Sequence, residues 1–142
     1  CEEARLNLPA NMARYRQMRD RLEAGFMRRL GGALVRVNGH PEERLPNTLS
    51  ISFFNIEANT LLDQIKERVS ASAGAACHAG DVQVSAVLQA MQVPVNWAMG
   101  TLRFSTGRYT TPEETDLVVN LVADAVFQLA RKGLDVSARP TG

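Results

Sequence analysis

Lysine is nearly missing from this chain: Lys66 and Lys132 stand against 14 arginines. Acidic residues balance the basic ones to a net charge of +1, which gives no electrostatic case for a nucleic-acid or anionic-membrane partner. Cysteine is scarce too. Cys1 and Cys77 make no disulfide framework and point to a reducing compartment, so a cytoplasmic location is expected. No stretch approaches the roughly 20 apolar residues of a membrane span. The opening CEEARLNLPA is acidic and has no apolar core of a signal peptide. It also lacks an initiator Met, so a fragment or processed chain is expected. Walker, GxGxxG and GxSxG motifs are absent. With two histidines and two cysteines, no zinc-ligand spacing exists, and no metal is expected.

What remains fits one domain over residues 1–142, with 1–10 and 134–142 expected as flexible ends. Met12, Tyr15, Met18, Leu22, Phe26 and Leu30 recur at helical spacing and predict a helix over Asn11–Leu30, stopped at Gly31-Gly32. ALVRVNG and TLSISFFN alternate as strands, the second with Ser50 and Ser52 opposite Leu49, Ile51 and Phe53. Leu61, Leu62, Ile65 and Val69 form a second helical stripe. VSAVLQAM and VPVNWAMG predict two short helices around residues 84–100. TLRFSTG is a strand with Leu102 and Phe104 on one face and Arg103 on the other. A last helix starts at the N-cap Thr111, with Pro112 in its first position and Glu114 closing a capping box. Its expected stripe is Leu117, Leu121, Ala125 and Leu129, and Gly133 is its expected stop. The fold class is α+β, helices packed on a small mixed or antiparallel sheet.

Three features can carry chemistry. Cys77 sits in SASAGAACHAG, where small residues leave little to bury and allow a short strand running into a loop. It is open to two readings, a small buried filler or a presented thiol that works as thiolate. His78 follows it directly. Arg103, on a rigid strand, suits a bidentate grip on a carboxylate, against the alternative of a solvated strand residue. Arg108 shares that ambiguity. His40, before Pro41 in a turn, is given no role.

Taken in order, RLPNTLSISF, SASAGAACHAG, VSAVLQAM and TLRFSTGRYTTPEETD resemble the C-terminal small domain of the cysteine desulfurases and of their relatives the selenocysteine lyases, in the class V group of fold-type I pyridoxal-phosphate (PLP) enzymes. The resemblance runs from about Tyr15 to Leu129. It implies a homodimeric enzyme that takes sulfur from L-cysteine, releases alanine and hands a persulfide to an acceptor protein, as in iron–sulfur cluster assembly. Selenocysteine lyase is one alternative, and a stand-alone PLP-free sulfur carrier another. By position, Cys77 matches the family's nucleophile and Arg103 its carboxylate-binding arginine. The family's SxHK-like lysine motif has no counterpart, so the large PLP-binding domain is expected to be absent from this chain, PLP to be held by that domain, and the chain alone to be inactive. Val84-Ser85 replaces the Pro-Ser that often follows the family's cysteine loop.

Overall fold

A computed structural model describes the backbone of residues 2–78 and 81–137, and side chains of residues 8–74 and 84–132. The elements are α1 (Glu2–Leu30), β1 (Val35–Val37), β2 (Thr48–Phe53), α2 (Ala58–Ile65), β3 (Ser72–Ala73), β4 (Ala75–His78), β5 (Asp81–Val84), α3 (Ala86–Ala90), α4 (Val95–Ala98), β6 (Thr101–Ser105) and α5 (Pro112–Ser137). Four strands form an antiparallel sheet in the order β1-β2-β6-β3, while β4 and β5 pair as a separate two-stranded sheet. The expected α+β class holds.

Alternation in β2 and β6 divides the sheet into two faces. Leu49, Ile51, Phe53, Leu102 and Phe104 point to one side and are buried. On that side α1, α2 and α5 bring Leu22, Phe26, Leu61, Ile65, Val122 and Val126 into the same apolar cluster. Phe26 stands edge-on to Phe53 at 5.8 Å and lies 5.5 Å from Phe104, so one helix residue ties both central strands to α1. Ion pairs Arg21–Asp116 and Arg29–Asp124 bridge α1 and α5 along their exposed edge.

Several element ends follow local chemistry. Gly31 takes a positive φ of 72° and its N–H closes on the Met27 carbonyl, which stops α1. Thr111 Oγ1 accepts the Glu114 N–H at 3.2 Å while Glu114 Oε2 accepts the Thr111 N–H at 2.9 Å, the reciprocal capping box.

Other ends differ from the sequence-based expectation. α1 runs back to Glu2, through Pro9, rather than starting at Asn11. α5 continues past Gly133 to Ser137, so that glycine is not its stop. The buried row of α5 is Thr115, Val119, Val122 and Val126, with Ala123 and Ala125 beside it, whereas Leu117 is exposed. Of the expected stripe, Ala125 is buried in the core, Leu121 and Leu129 are half-buried and pack against it, and Leu117 is exposed. α1 comes close at the deeper row: a Cβ on Gly25 would sit 2.6 Å from Val119 Cγ2. Residues 70–85 hold three short strands where one strand and a loop were expected.

Candidate functional site

The other face of the sheet is polar. Ser50 pairs across with Arg103, and Arg103 with Ser72, so one row reads Ser50, Arg103, Ser72. Asn38 extends this row beyond β1, its N–H donating to the Ser50 carbonyl at 2.9 Å. Ser52 and Thr101 form the next row and are buried, although period-2 alternation reads Ser52 as facing solvent. Their hydroxyls meet at 2.7 Å, and Thr101 Oγ1 donates to the Trp97 carbonyl at 3.4 Å. Over this face lies a second, smaller apolar cluster of Leu88, Val93 and Ala98, with Val84, Met91 and Trp97 against it.

Between the polar face and α3 runs a cleft of about 410 Å³. Asn38, Ser50, Thr101 and Arg103 line it from the sheet, and Val87, Leu88 and Met91 from α3. Gly74 and Ser85 also line it. These two residues are the roots of the β4–β5 hairpin, which begins at Ala75 and ends at Val84. Gly74 is held close. Its N–H donates to the Thr101 carbonyl at 2.7 Å, and a Cβ there would lie 2.7 Å from Thr101 Cγ2 and 3.2 Å from Leu88 Cδ1. Only a residue without a side chain lets the chain pass between Thr101 and Leu88. At the other root, Ser85 Oγ accepts the Leu88 N–H at 3.3 Å and caps α3, which fixes where the strand ends and the helix begins.

Cys77 lies on β4 of that hairpin, opposite Val82, and His78 pairs with Asp81. The nucleophile candidate therefore stands on a paired strand three residues beyond Gly74. The side chains of Cys77 and His78, and Cys1 altogether, lie outside the described residues. Arg103 is exposed at the cleft, carries only donors, and makes no hydrogen bond or ion pair among the described residues. Among the described residues no carboxylate lines the cleft, and those that line it offer one full positive charge among hydroxyls and an amide. That arrangement can receive an anion with paired acceptor oxygens.

The remaining candidates lie elsewhere. Arg108 stacks over Tyr109, its Cζ 5.8 Å from the ring centroid, and does not line the cleft. His40 Nδ1 accepts the N–H groups of Glu42 (3.1 Å) and Glu43 (2.8 Å), so this histidine organises the turn around Pro41. Lys66 is exposed and pairs with Asp63 at 3.1 Å, and Lys132 is exposed on α5. Neither lines the cleft. Both lysines thus stand on exposed surface away from the cleft. Among the described residues there is no group of three potential metal ligands, and no helix is long and apolar enough to cross a membrane.

Asn38, Ser52 and Thr101 escape a motif-based reading. The one local signal is the Asn38-Gly39 turn, where Gly39 takes a φ of 89°. That turn says nothing about where the Asn38 side chain goes.

This architecture is that of NifS-like proteins. A solved NifS-like protein superposes with a TM-score of 0.75 at 28% identity, covering 90% of this chain and 31% of its own. A second, from Rickettsia africae, has the same fold with a TM-score of 0.70 at 20% identity. No protein-family model matches the chain. Among curated proteins, the cysteine desulfurase of Azotobacter chroococcum is 44% identical over 80% of this chain, and cysteine desulfurase NifS of Azotobacter vinelandii is 44% identical over 79%. Cysteine desulfurase IscS of an Anaeromyxobacter strain is 36% identical over 96%. The chain is a homologue of the cysteine desulfurases over most of its own length. It spans 28% of the two Azotobacter proteins and 35% of the Anaeromyxobacter one.

Proposed function

We propose that residues 1–142 are the small domain of a PLP-dependent cysteine desulfurase, with Cys77 as sulfur acceptor and Arg103 as carboxylate clamp. One observation carries the reading: both roots of the Cys77 hairpin, Gly74 and Ser85, line the cleft that Arg103 also lines. A substrate held at Arg103 is thereby near the base of the strand that bears the thiol. The curated relatives named above are called cysteine desulfurases, which favours sulfur over the selenocysteine lyase alternative.

In the net reaction, L-cysteine and the Cys77 thiol give L-alanine and a persulfide on Cys77. One C–S bond breaks, one S–S bond forms, and the hydrogens balance without an external oxidant. The part of this chain in that reaction is twofold. The guanidinium of Arg103 fixes the substrate by its carboxylate, a planar fork against a planar acceptor. The Cys77 thiolate takes the sulfur atom and carries it. PLP is assigned to residues outside this chain, since neither lysine fits it. A sulfur-acceptor protein, a homodimeric parent and a reducing, cytoplasmic setting belong to the same reading, the last because Cys77 must return to a free thiol between turnovers.

The test uses the full-length protein that carries this chain. Incubation with L-cysteine should yield alanine, and mass spectrometry should find one extra sulfur on Cys77. Cys77→Ala should abolish alanine formation under turnover while PLP stays bound. Undiminished desulfuration by that variant would remove Cys77 from the mechanism. Sulfur loading of Cys77 by a persulfide donor with no alanine produced from cysteine would mark a sulfur-carrier module instead.

A further inference from the structure

Asn38 is 6% exposed and lines the cleft. Its Nδ2 donates to Ser52 Oγ at 2.7 Å and lies 3.4 Å from Ser50 Oγ. Ser52 Oγ in turn meets Thr101 Oγ1, which reaches the Trp97 carbonyl. Either hydroxyl could donate in the Ser52–Thr101 pair, but a carbonyl can only accept, and the 3.4 Å bond to Trp97 supports one order. Thr101 donates to Trp97, Ser52 donates to Thr101, and Asn38 donates to Ser52. That polarity assigns the Asn38 amide, with its nitrogen toward the hydroxyls. The other amide atom, Oδ1, is buried and has no hydrogen-bond partner. A buried acceptor left unpaired costs free energy, and native structures seldom keep one without a use.

Among the described side chains lining the cleft, Arg103 alone is a pure donor, and its N–H groups make no hydrogen bond to a described residue. It is also in the right row. Asn38, Ser50 and Arg103 are successive neighbours across β1, β2 and β6. Two strand spacings separate Asn38 from Arg103, about 10 Å between backbones. The arginine side chain spans most of that distance when it lies across Ser50, which is too small to obstruct it.

We propose that Asn38 is a positioning residue for Arg103: when a carboxylate enters the cleft, the guanidinium folds across Ser50 and donates one N–H to Asn38 Oδ1. The remaining N–H groups then face the carboxylate in a fixed plane. Arg103 is exposed and Oδ1 is shielded in the present structure, so the contact forms with the ligand. This assignment rests on the reading of Arg103 as the clamp for the amino-acid carboxylate.

Binding separates the two ideas. Calorimetry of L-cysteine on full-length protein carrying Cys77→Ala gives Kd without turnover. Asn38→Leu should weaken binding about tenfold, the scale of a hydrogen bond to a charged group. In an Arg103→Ala background it should add nothing further, since the two residues act as one unit. An unchanged Kd, or equal losses in both backgrounds, overturns the assignment. If Asn38→Leu does not fold, Asn38→Asp is read in its place. It keeps an acceptor and loses the donor to Ser52, so Kd should rise less than about threefold, and a larger rise overturns the assignment. Coupled binding in a protein whose Cys77 form makes no alanine keeps the Asn38 assignment and refutes the desulfurase reading. Alanine production without coupling does the reverse, and no binding of L-cysteine at all refutes both.

Discussion

The two faces of the four-stranded sheet obey different rules. One is apolar, sealed by three helices, and ties residues far apart in sequence through Phe26, Phe53 and Phe104. The other carries serines, a threonine, an arginine and a buried amide under a thin cover from α3 and α4. The first face gains from close packing. The second gives up packing for a cleft and keeps an unpaired acceptor. Residues that hold the fold and residues that line the cleft are thus separated by one position along a strand.

Substitutions can break this contrast or sharpen it. The largest effect on stability belongs to the apolar face: Phe26→Ala should cost about 3–5 kcal/mol, read as a lowered denaturation midpoint. A loss under about 1 kcal/mol would mean that the face is not packed as described. At the junction of the faces, Gly74→Ala forces a methyl to 2.7 Å from Thr101. It should cost about 1–3 kcal/mol by overpacking and also lower turnover in the full-length protein, because the hairpin root shifts. Wild-type turnover in that variant would separate the root from the chemistry. On the polar face, Arg103→Ala should change stability by less than about 0.5 kcal/mol while raising KM for L-cysteine. A large drop in midpoint with unchanged KM would turn Arg103 into a structural residue and erase the contrast.

The smallest effect lies at the helix edge, away from both faces. The hydrogen bond from Arg21 holds the Asp116 carboxyl below the usual carboxylate range, and Asp116 in turn raises Arg21. A depressed folded-state value means stability that is present above the unfolded value and lost as pH falls through the folded one. Wild type and Asp116→Asn should therefore differ slightly at neutral pH and converge in acid, and added salt should shrink the gap. A gap that persists at low pH would argue against an ionic origin.

The sequence exposes one face far better than the other. Period-2 alternation in TLSISF and TLRFS marks the inward residues of β2 and β6, and Thr111 with Glu114 marks a helix start through bonds three residues apart. Both signals are local. The α5 contact row is legible in part: Leu121, Ala125 and Leu129 reach the core, but the deeper Val119, Val122 and Val126 carry less apolar bulk than the leucines. How closely Val119 packs depends on Gly25 of a distant helix. Ser52 reads as solvent-facing for the same reason: its cover, α4, arrives from 45 residues further along the chain. Cys77 and Arg103 stand out as candidates from motifs. That Gly74 and Ser85 bring the base of the Cys77 hairpin to the Arg103 cleft is tertiary information that no spacing contains.

The hairpin forms a sheet of its own, and this has a mechanical consequence. β4 and β5 hydrogen-bond to each other and not to the main sheet, so a tilt of the pair leaves both ladders intact. Cys77 stands three residues from the root at Gly74, an arm of about 10 Å at strand rise. A rotation of about ten degrees at Gly74 and Ser85 would carry that position by about 2 Å over such an arm. If Cys77 carries sulfur as proposed, such a lever lets it swing while the apolar face on the far side of the sheet stays still.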